Sequence, residues 1–205
     1  MAVVDYIESI LGAEDSGYNI TKGILSAAHF GAPQKRMRFV IMGVKKEIAS
    51  DISLPEGTFT EGHFRTVKDA IKDIESIQAA TTVNEGSIGI ELPTLSESIS
   101  ELGKQLRDSA ILYNHVSTET TPHALERFKV IQQGCNFHDL PLKLKTTYSD
   151  SSRTQNTIYL RLKYNEPSGT VVNVRKSMWI HPIHDRALSI REAARLQTFT
   201  DSFVF

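Results

Sequence analysis

Three short segments of this 205-residue chain carry the side chains that could do chemistry. The first is GAPQKRMRF (31–39), where Arg36 and Arg38 lie between a Gly-Ala-Pro turn and an apolar run. Alternate side chains of a strand share a face about 6.6 Å apart, so the two guanidinium groups would project together while Met37, Phe39 and Ile41 point into the core. Such a pair suits a phosphate, a carboxylate or the edge of a base. The simpler alternative is a solvated strand edge with salt bridges.

The second segment is RALSIREAARLQTF (186–199). Ser189 and Glu192 have the spacing of a capping box, which predicts the start of a helix. Arg191 and Arg195 are four residues apart and would stack on one helix face. A packing helix with exposed arginines is the simpler local interpretation.

The third segment is TTYSDSSRTQNT (146–157), followed by the alternating run IYLRLKY (158–164). Hydroxyl, amide and guanidinium groups of this kind hydrogen-bond base edges and phosphates. The alternation predicts a strand that places Tyr159, Arg161 and Lys163 on one face. A surface loop beside a solvated strand remains the alternative.

Hydrophobic periodicity and capping residues predict the elements that position these segments. Helices are expected at 3–11, 66–77, from Thr94 through Leu106, at 121–134 and at 189–199, and strands at 18–24, 39–44, 158–164 and 170–174. A polar loop with a short strand is expected at 78–93. The sequence therefore predicts an α+β fold.

Composition is that of an ordinary globular protein, with 40% apolar and 23% charged residues. Cys135 is the only cysteine, which excludes a disulfide framework and a cysteine-based zinc site. His181 and His184 have no partners at metal-ligand spacing. No apolar run approaches the roughly 20 residues that span a bilayer, and we expect a cytoplasmic protein without a signal peptide.

Charge is unevenly distributed along the chain although its net value is −1. Residues 22–46 hold six basic side chains and no acidic one, residues 47–126 have a net charge of −9, and residues 127–180 have a net charge of +6. A polyanion would be attracted to the two basic segments and repelled by the middle. Ordinary surface variation is the alternative.

Taken in order, the segments resemble a known family. GAPQKRMRFVIMG resembles the late Gly-x-Pro-Gln-x-Arg-x-Arg block of DNA cytosine-5 methyltransferases, and HPIHDRALSIREAARLQTFTDSF is similar to the block that follows it. Asn114–Val116 and the run YLRLKYNEPSGTVV also look like bacterial members. The resemblance implies a remnant of the S-adenosylmethionine-dependent catalytic lobe at 1–46, a target-recognition domain of mixed helices and antiparallel strands at 47–180, and a helix block linking back to the catalytic lobe at 181–205.

Several family motifs are missing. The chain has no Pro-Cys nucleophile, no Glu-Asn-Val block, no Gly-rich S-adenosylmethionine loop and no closing Gly-Asn block, and Thr200 replaces a usual proline. The resemblance therefore implies a C-terminal piece of a bacterial-type enzyme that flips a cytosine out of the duplex and methylates its C5 atom. Without the N-terminal catalytic lobe we expect it to be inactive alone and prone to self-association through uncovered apolar surface. The alternatives are a catalytically incompetent DNA-binding or regulatory protein, one subunit of a split methyltransferase, or an unrelated interaction domain.

The resemblance also implies site residues. Arg36 and Arg38 would belong to the target-cytosine site. Segments 146–157 and 169–179 would read bases. Arg191 and Arg195 would either touch phosphate or tie the recognition domain to the catalytic lobe. The candidate contacts to double-stranded DNA are Gln34, Arg153, Gln155, Asn156, Tyr159, Arg161, Lys163, Arg175, Lys176, Arg191 and Arg195.

Overall fold

The computed structural model describes residues 3–13, 15–94, 98–145 and 154–205. Within these ranges the helices are α1 (Val3–Leu11), α2 (Val67–Ile71), α3 (Val83–Ile88), α4 (Glu101–Leu106), α5 (Pro122–Phe128), α6 (Val174–Ser177) and α7 (Ile190–Arg195). The strands are β1 (Tyr18–Ser26), β2 (Met37–Lys45), β3 (Ile90–Glu91) and β4 (Ile111–Leu112). The predicted mixture of helices and strands is confirmed.

Strands β1 and β2 form an antiparallel hairpin in which Tyr18 lies opposite Lys45 and Ser26 lies opposite Met37. A 3₁₀ turn follows β1 and ends at Gly31, whose φ of 85° is in the left-handed region that glycine adopts without strain. The predicted burial of this strand is wrong: Arg36 lies before β2, and Met37 and Phe39 are 54% and 45% exposed. No second layer among the described residues covers that face, and α1 beside the hairpin has no buried residue.

The main core joins α2, α4 and α7, elements that are distant in sequence. Its buried side chains are Val67, Ala70, Ile71, Ile74, Leu92, Leu102, Leu106, Leu112, Leu162, Val171, Trp179, Leu188, Ala193 and Leu196. The predicted boundary at residue 181 therefore does not coincide with a break in packing, because α7 shares this core with the residues that precede it.

Local capping signals set most helix starts. The capping box of Thr66 with Asp69 begins α2 as predicted. The helix ends at Ile71, and the chain beyond it forms turns. Helix α4 begins after Ser100 rather than Thr94, because the Ser100 hydroxyl accepts from the Gly103 N–H at 2.9 Å and donates to the Asp69 carbonyl at 2.6 Å. Leu95 and Glu97, which the sequence placed in this helix, lie outside the described residues.

A second core lies around α5, which Thr121 caps and Pro122 opens as predicted. Its buried members are Ala124, Phe128, Ile131, Phe137, Leu140, Tyr159 and Ile180. The helix ends at Phe128, short of the predicted stop at Gly134.

The two late strands predicted at 158–164 and 170–174 are wrong. Tyr159 has a φ of 53°, which interrupts extended backbone, and Arg161 makes only an isolated bridge to Ile180. Helix α6 begins at Val174, where the second strand was expected to end. The predicted loop at 78–93 contains the short strand β3 and also α3, which the sequence analysis missed.

Candidate nucleic-acid interface

A backbone junction joins the first sequence segment to the later part of the chain. The N–H of Lys35 donates to the carbonyl of Ser168 at 2.8 Å, and the N–H of Ser168 donates to the carbonyl of Pro33 at 2.9 Å. The Thr170 hydroxyl donates to the Lys35 carbonyl at 3.3 Å. These bonds align residues 33–35 with the 167–170 turn and fix the point from which β2 begins.

Gln34 lies inside this junction with only 1% of its surface exposed. Its Nε2 donates to the carbonyl of Leu196, the residue that follows α7, at 3.2 Å. The prediction that Gln34 contacts DNA is therefore not supported: burial leaves its amide no access to a duplex. Gln34 instead ties the GAPQKRMRF segment to the residue that follows α7.

Arg36 and Arg38 follow the junction directly. Arg36 is half-buried, whereas Arg38 is exposed and lies opposite Leu25 in the hairpin. An Nη1 donor of Arg38 bonds the Met37 carbonyl at 2.7 Å. Neither guanidinium forms an ion pair with an acidic residue in the described ranges, so both are available to an external anion or base.

Arg195 is fully buried, contrary to its predicted role as a DNA contact. Its Nη1 donates to Asp73 Oδ1 at 2.6 Å and to the Ala70 carbonyl at 3.0 Å, while Nε donates to Asp201 Oδ1 at 2.9 Å. Burial would lower its pKa, but hydrogen bonds to Asp201 and Asp73 outweigh that effect and raise it. The two carboxylates therefore hold a cation whose role is to tie α7 to α2.

Arg191 is also fully buried, so its guanidinium has no access to a DNA phosphate. Its Nε donates to the Tyr113 carbonyl at 2.9 Å, and its two terminal nitrogens donate to the carbonyls of Thr200 and Phe203 at 2.7 and 2.6 Å. Both helix arginines thus bind elements within the described chain rather than phosphate.

The first N–H groups of α7 find their hydrogen-bond acceptors in the Asn114–Val116 segment, to which the sequence analysis gave no role. The N–H groups of Ile190 and Arg191 donate to the carbonyls of Val116 and Asn114 at 2.8 and 3.1 Å. These two acceptors belong to the Asn-His-Val motif. The motif therefore supplies partners for helix N–H groups that have none within the helix.

A buried acid and a buried histidine lie at the same helix start. Burial alone would raise the pKa of Glu192, but two hydrogen bonds from Arg186, at 2.6 and 2.8 Å, outweigh it and lower that pKa to about 2. Burial lowers the pKa of His181 to about 3. The His181 ring accepts backbone N–H bonds from Ile183 and His184 through Nδ1, each at 3.1 Å, so the neutral ring has a structural role.

Arg161 organises the second core instead of facing solvent. It donates to the carbonyls of Phe128 and Ile131, both at 2.7 Å, to His181 at 3.0 Å and to Asp185 Oδ1 at 2.5 Å. Its 6% exposure contradicts a DNA-contacting role.

Of the two other residues predicted on the same strand face as Arg161, Tyr159 is buried and Lys163 is exposed. Tyr159 is 6% exposed and its hydroxyl accepts from Arg127 at 3.2 Å, so it is also removed from the candidate DNA contacts. Lys163 is exposed and pairs with Glu166 at 2.8 Å.

A cleft brings together parts of the two segments predicted to read bases. Gln155 and Thr157 line it from one segment, Thr170 and Lys176 from the other, and Trp179 also lines it, in a volume of about 250 Å³. Gln155, Lys176 and the neighbouring Asn156 are exposed. Arg153 and the side chain of Arg175 lie outside the described residues.

Sequence reasoning missed Ser168 in the junction and Thr198 at the end of α7. Ser168 is 3% exposed, and its Pro-Ser-Gly context indicated only a turn. Thr198 has a φ of 65° and closes the end of α7, where its N–H donates to the Arg195 carbonyl at 3.0 Å. Glycine usually occupies such a position, so a threonine there carries backbone strain.

Two classes of site are absent from residues 3–13, 15–94, 98–145 and 154–205. They contain no group of three or more His, Cys, Asp or Glu side chains that could hold a metal ion. In the same ranges no helix is both long and apolar enough to cross a membrane.

Comparison with known proteins places this geometry in a family. The chain is 27% identical over 209 residues to the type II methyltransferase M.DdeI of Desulfomicrobium norvegicum, covering 98% of this chain and 49% of that protein. It is 29% identical over 247 residues to DNA (cytosine-5)-methyltransferase 1A of Oryza sativa, covering 93% of this chain and 15% of the plant protein. The chain thus spans about half the length, or less, of these relatives.

A solved structure has a similar fold. A chain described as a DNA modification methyltransferase of an E. coli prophage superposes with a TM-score of 0.69 at 23% identity, covering 95% of this chain and 54% of that one. The profile of the C-5 cytosine-specific DNA methylase family matches residues 8–205. This protein therefore belongs to the C-5 cytosine-specific DNA methylase family.

Proposed function

We propose that this chain is the target-recognition part of a bacterial DNA cytosine-5 methyltransferase of the restriction–modification type. One observation carries the proposal: a buried junction locks the Arg36–Arg38 segment to the later part of the chain. Gln34 bonds Leu196, and Ser168 bonds Pro33 and Lys35. Any duplex held by the later segments is thereby placed in fixed relation to the two arginines.

Within this function Arg38 hydrogen-bonds the flipped cytosine and Arg36 helps to fix the site. Flipping requires a few kcal/mol that contacts with the extruded base and the opened duplex must offset. The exposed Gln155, Asn156 and Lys176 are the proposed duplex contacts from the later part of the chain, while Lys163 is available only by giving up Glu166.

The proposed partner is an N-terminal catalytic lobe that supplies the Pro-Cys nucleophile and the S-adenosylmethionine site. The described residues do not fit that cofactor, because β1 and β2 are joined through a 3₁₀ turn and not through a Gly-rich loop that opens a helix. We therefore assign no residue of this chain to the cofactor. In the division proposed here, residues 1–46 belong to the catalytic lobe, 47–180 to recognition and 181–205 to the link between them.

The exposed apolar face of the β1–β2 hairpin supports the proposal of a partner lobe. Ile24, Met37 and Phe39 are 64%, 54% and 45% exposed, and Val3 and Tyr6 of α1 add 75% and 58%. An isolated two-stranded sheet is marginal in water, so this face gains most from being covered by further strands or helices. Without that cover the chain should self-associate. Light scattering of this chain, against the same chain carrying Ile24→Ser and Phe39→Ser, tests this; equal masses would contradict it.

The function is tested by two assays on the purified chain. Duplex binding, followed by fluorescence anisotropy at increasing salt, should weaken steeply because phosphate contacts release counterions. The Arg36→Ala/Arg38→Ala variant should bind more weakly, whereas Lys104→Ala, which alters an exposed pair in the acidic region, should not. Transfer of a labelled methyl group from S-adenosylmethionine should be undetectable. Methyl transfer by the chain alone, or no duplex binding at low salt, would contradict the proposal.

A split enzyme is the second candidate. The type II methyltransferase M.AquIB of Picosynechococcus matches this chain at 36% identity over 86 residues, which already make up 54% of M.AquIB, so M.AquIB is shorter than this chain. A protein named as a methyltransferase can therefore be as short as this chain. Sequencing the native reading frame and its neighbours decides the case: a Pro-Cys and a Glu-Asn-Val in a separate frame favour a split enzyme, and the same motifs upstream in one frame favour a single chain.

A further inference from the structure

We propose that the Trp179 cleft, formed by Gln155, Thr157, Thr170, Asn173, Lys176 and Trp179, binds the major-groove edge of a guanine in the target duplex. This inference rests on the proposed function and names a base that the recognition part reads.

The chemistry of the lining selects the ligand. No carboxylate is among the residues that line the cleft, and its cation, Lys176, has no acidic partner among the described residues. A lysine offers three donors and no acceptor. Guanine presents two acceptors, N7 and O6, and no donor in the major groove, whereas adenine and cytosine present an amino group there and thymine presents a single acceptor beside a methyl group. The amide of Gln155 can supply a second donor toward the same edge.

The backbone around Lys176 is held in place, which favours selective binding over loose attraction. Asn173 Oδ1 accepts from the N–H of Lys176 at 3.1 Å, and the carbonyl of Ser177 accepts from the N–H of Tyr159 at 2.9 Å. Trp179 lines the cleft with 3% exposure and packs in the main core. Lys176 therefore belongs to a short helix, α6, that the core supports.

The position of the cleft relates it to the reaction. Thr170 lines the cleft, and its hydroxyl donates to the carbonyl of Lys35, the residue before Arg36. A base held in the cleft is thus connected through one side chain to the segment that carries the two arginines. Reading this base would help to set the position of the target-cytosine site.

The test begins with the recognition sequence. Purified chain is used to select binders from a randomised duplex library at low salt, and each guanine of the selected site is replaced in turn by 7-deazaguanine, which lacks the N7 acceptor. Binding is followed by anisotropy and by the fluorescence of Trp179, the sole tryptophan. The matched variants are Lys176→Ala and Lys104→Ala, both changes of an exposed lysine.

We expect one guanine whose 7-deaza replacement weakens binding about tenfold to a hundredfold, the range of one good base contact. Lys176→Ala should remove that dependence, and Lys104→Ala should retain it. The inference is overturned if no guanine shows the effect, or if Lys176→Ala weakens binding equally for every sequence, which would identify a phosphate contact. In both cases duplex binding persists and the proposed function stands, whereas absence of any duplex binding would refute both.

Discussion

Replacing Thr198 by glycine should stabilise this protein. Thr198 has a φ of 65° and ends the last turn of α7, with its N–H bonded to the Arg195 carbonyl at 3.0 Å. The next N–H, that of Phe199, donates to the Ala194 carbonyl at 3.1 Å, so the turn is closed by two bonds that a change of side chain leaves intact. The threonine side chain is exposed, and among the described residues its hydroxyl bonds only the Gln197 carbonyl.

The expected gain is small and can be estimated. A left-handed conformation costs a residue with a Cβ about 1–2 kcal/mol relative to glycine. Glycine returns about 0.4–1 kcal/mol of this through the larger freedom of the unfolded chain. The free energy of unfolding should therefore rise by about 0.5–1 kcal/mol, which corresponds to about 1–4 °C in melting temperature for a domain of this size.

Urea unfolding followed by Trp179 fluorescence provides the assay, because this buried tryptophan belongs to the core that α7 helps to form. Thr200→Gly is the matched control, since Thr200 lies two positions on without a positive φ and should lose stability on the same change. The strain argument would be refuted if the free energy of unfolding of Thr198→Gly is no higher than that of the wild type, or is lowered as much as that of Thr200→Gly.

Further expected outcomes concern the buried polar groups. Arg161→Leu should lower the free energy of unfolding by about 3–5 kcal/mol because Asp185 and several carbonyls lose their donor. Lys163→Ala should change the same free energy by less than about 1 kcal/mol. Chemical denaturation compares the two variants, and equal losses would contradict the structural role of Arg161 in the second core. Stability should fall as pH drops from 6.5 toward 3, because the unfolded chain takes up a proton at His181 that the folded chain, with its pKa of about 3, does not. Below pH 4.5 Glu192 acts in the same direction, since its folded pKa of about 2 lies under the unfolded value. His181→Asn should reduce the slope between pH 6.5 and 4.5 in unfolding titrations without abolishing it, because burial also lowers the pKa of His115. An unchanged slope would exclude His181 as one of its sources.

Local signals predicted the parts of the fold that depend on neighbours in sequence. Thr66, Thr121 and Ser189 begin helices as predicted, because an N-cap is completed within a few residues. The alternation at 158–164 misled, since Arg161 is buried there and bonds carbonyls inside the protein. The alternating polar position of Arg161 could not reveal that its acceptors lie at Phe128 and His181.

The candidate site divides along the same line. The block containing Arg36 and Arg38 was recognisable from sequence, but the partners of Arg195 were not, because Asp73 lies 122 residues away. An arginine pair spaced four apart on a helix is compatible with phosphate binding and with burial between carboxylates. Only the tertiary position of α7 between α2 and the C-terminal residues separates the two.

The junction at Ser168 has a consequence for how such proteins diversify. Two of its bonds join main-chain atoms of Lys35, Ser168 and Pro33, so they depend on the path of the backbone and not on the side chains that the turn carries. A foreign reading module could therefore be grafted between the two blocks if it returns to this point with a turn of the same shape. Under the proposed function, exchange of modules would change the duplex sequence that is read and leave Arg36 and Arg38 in place.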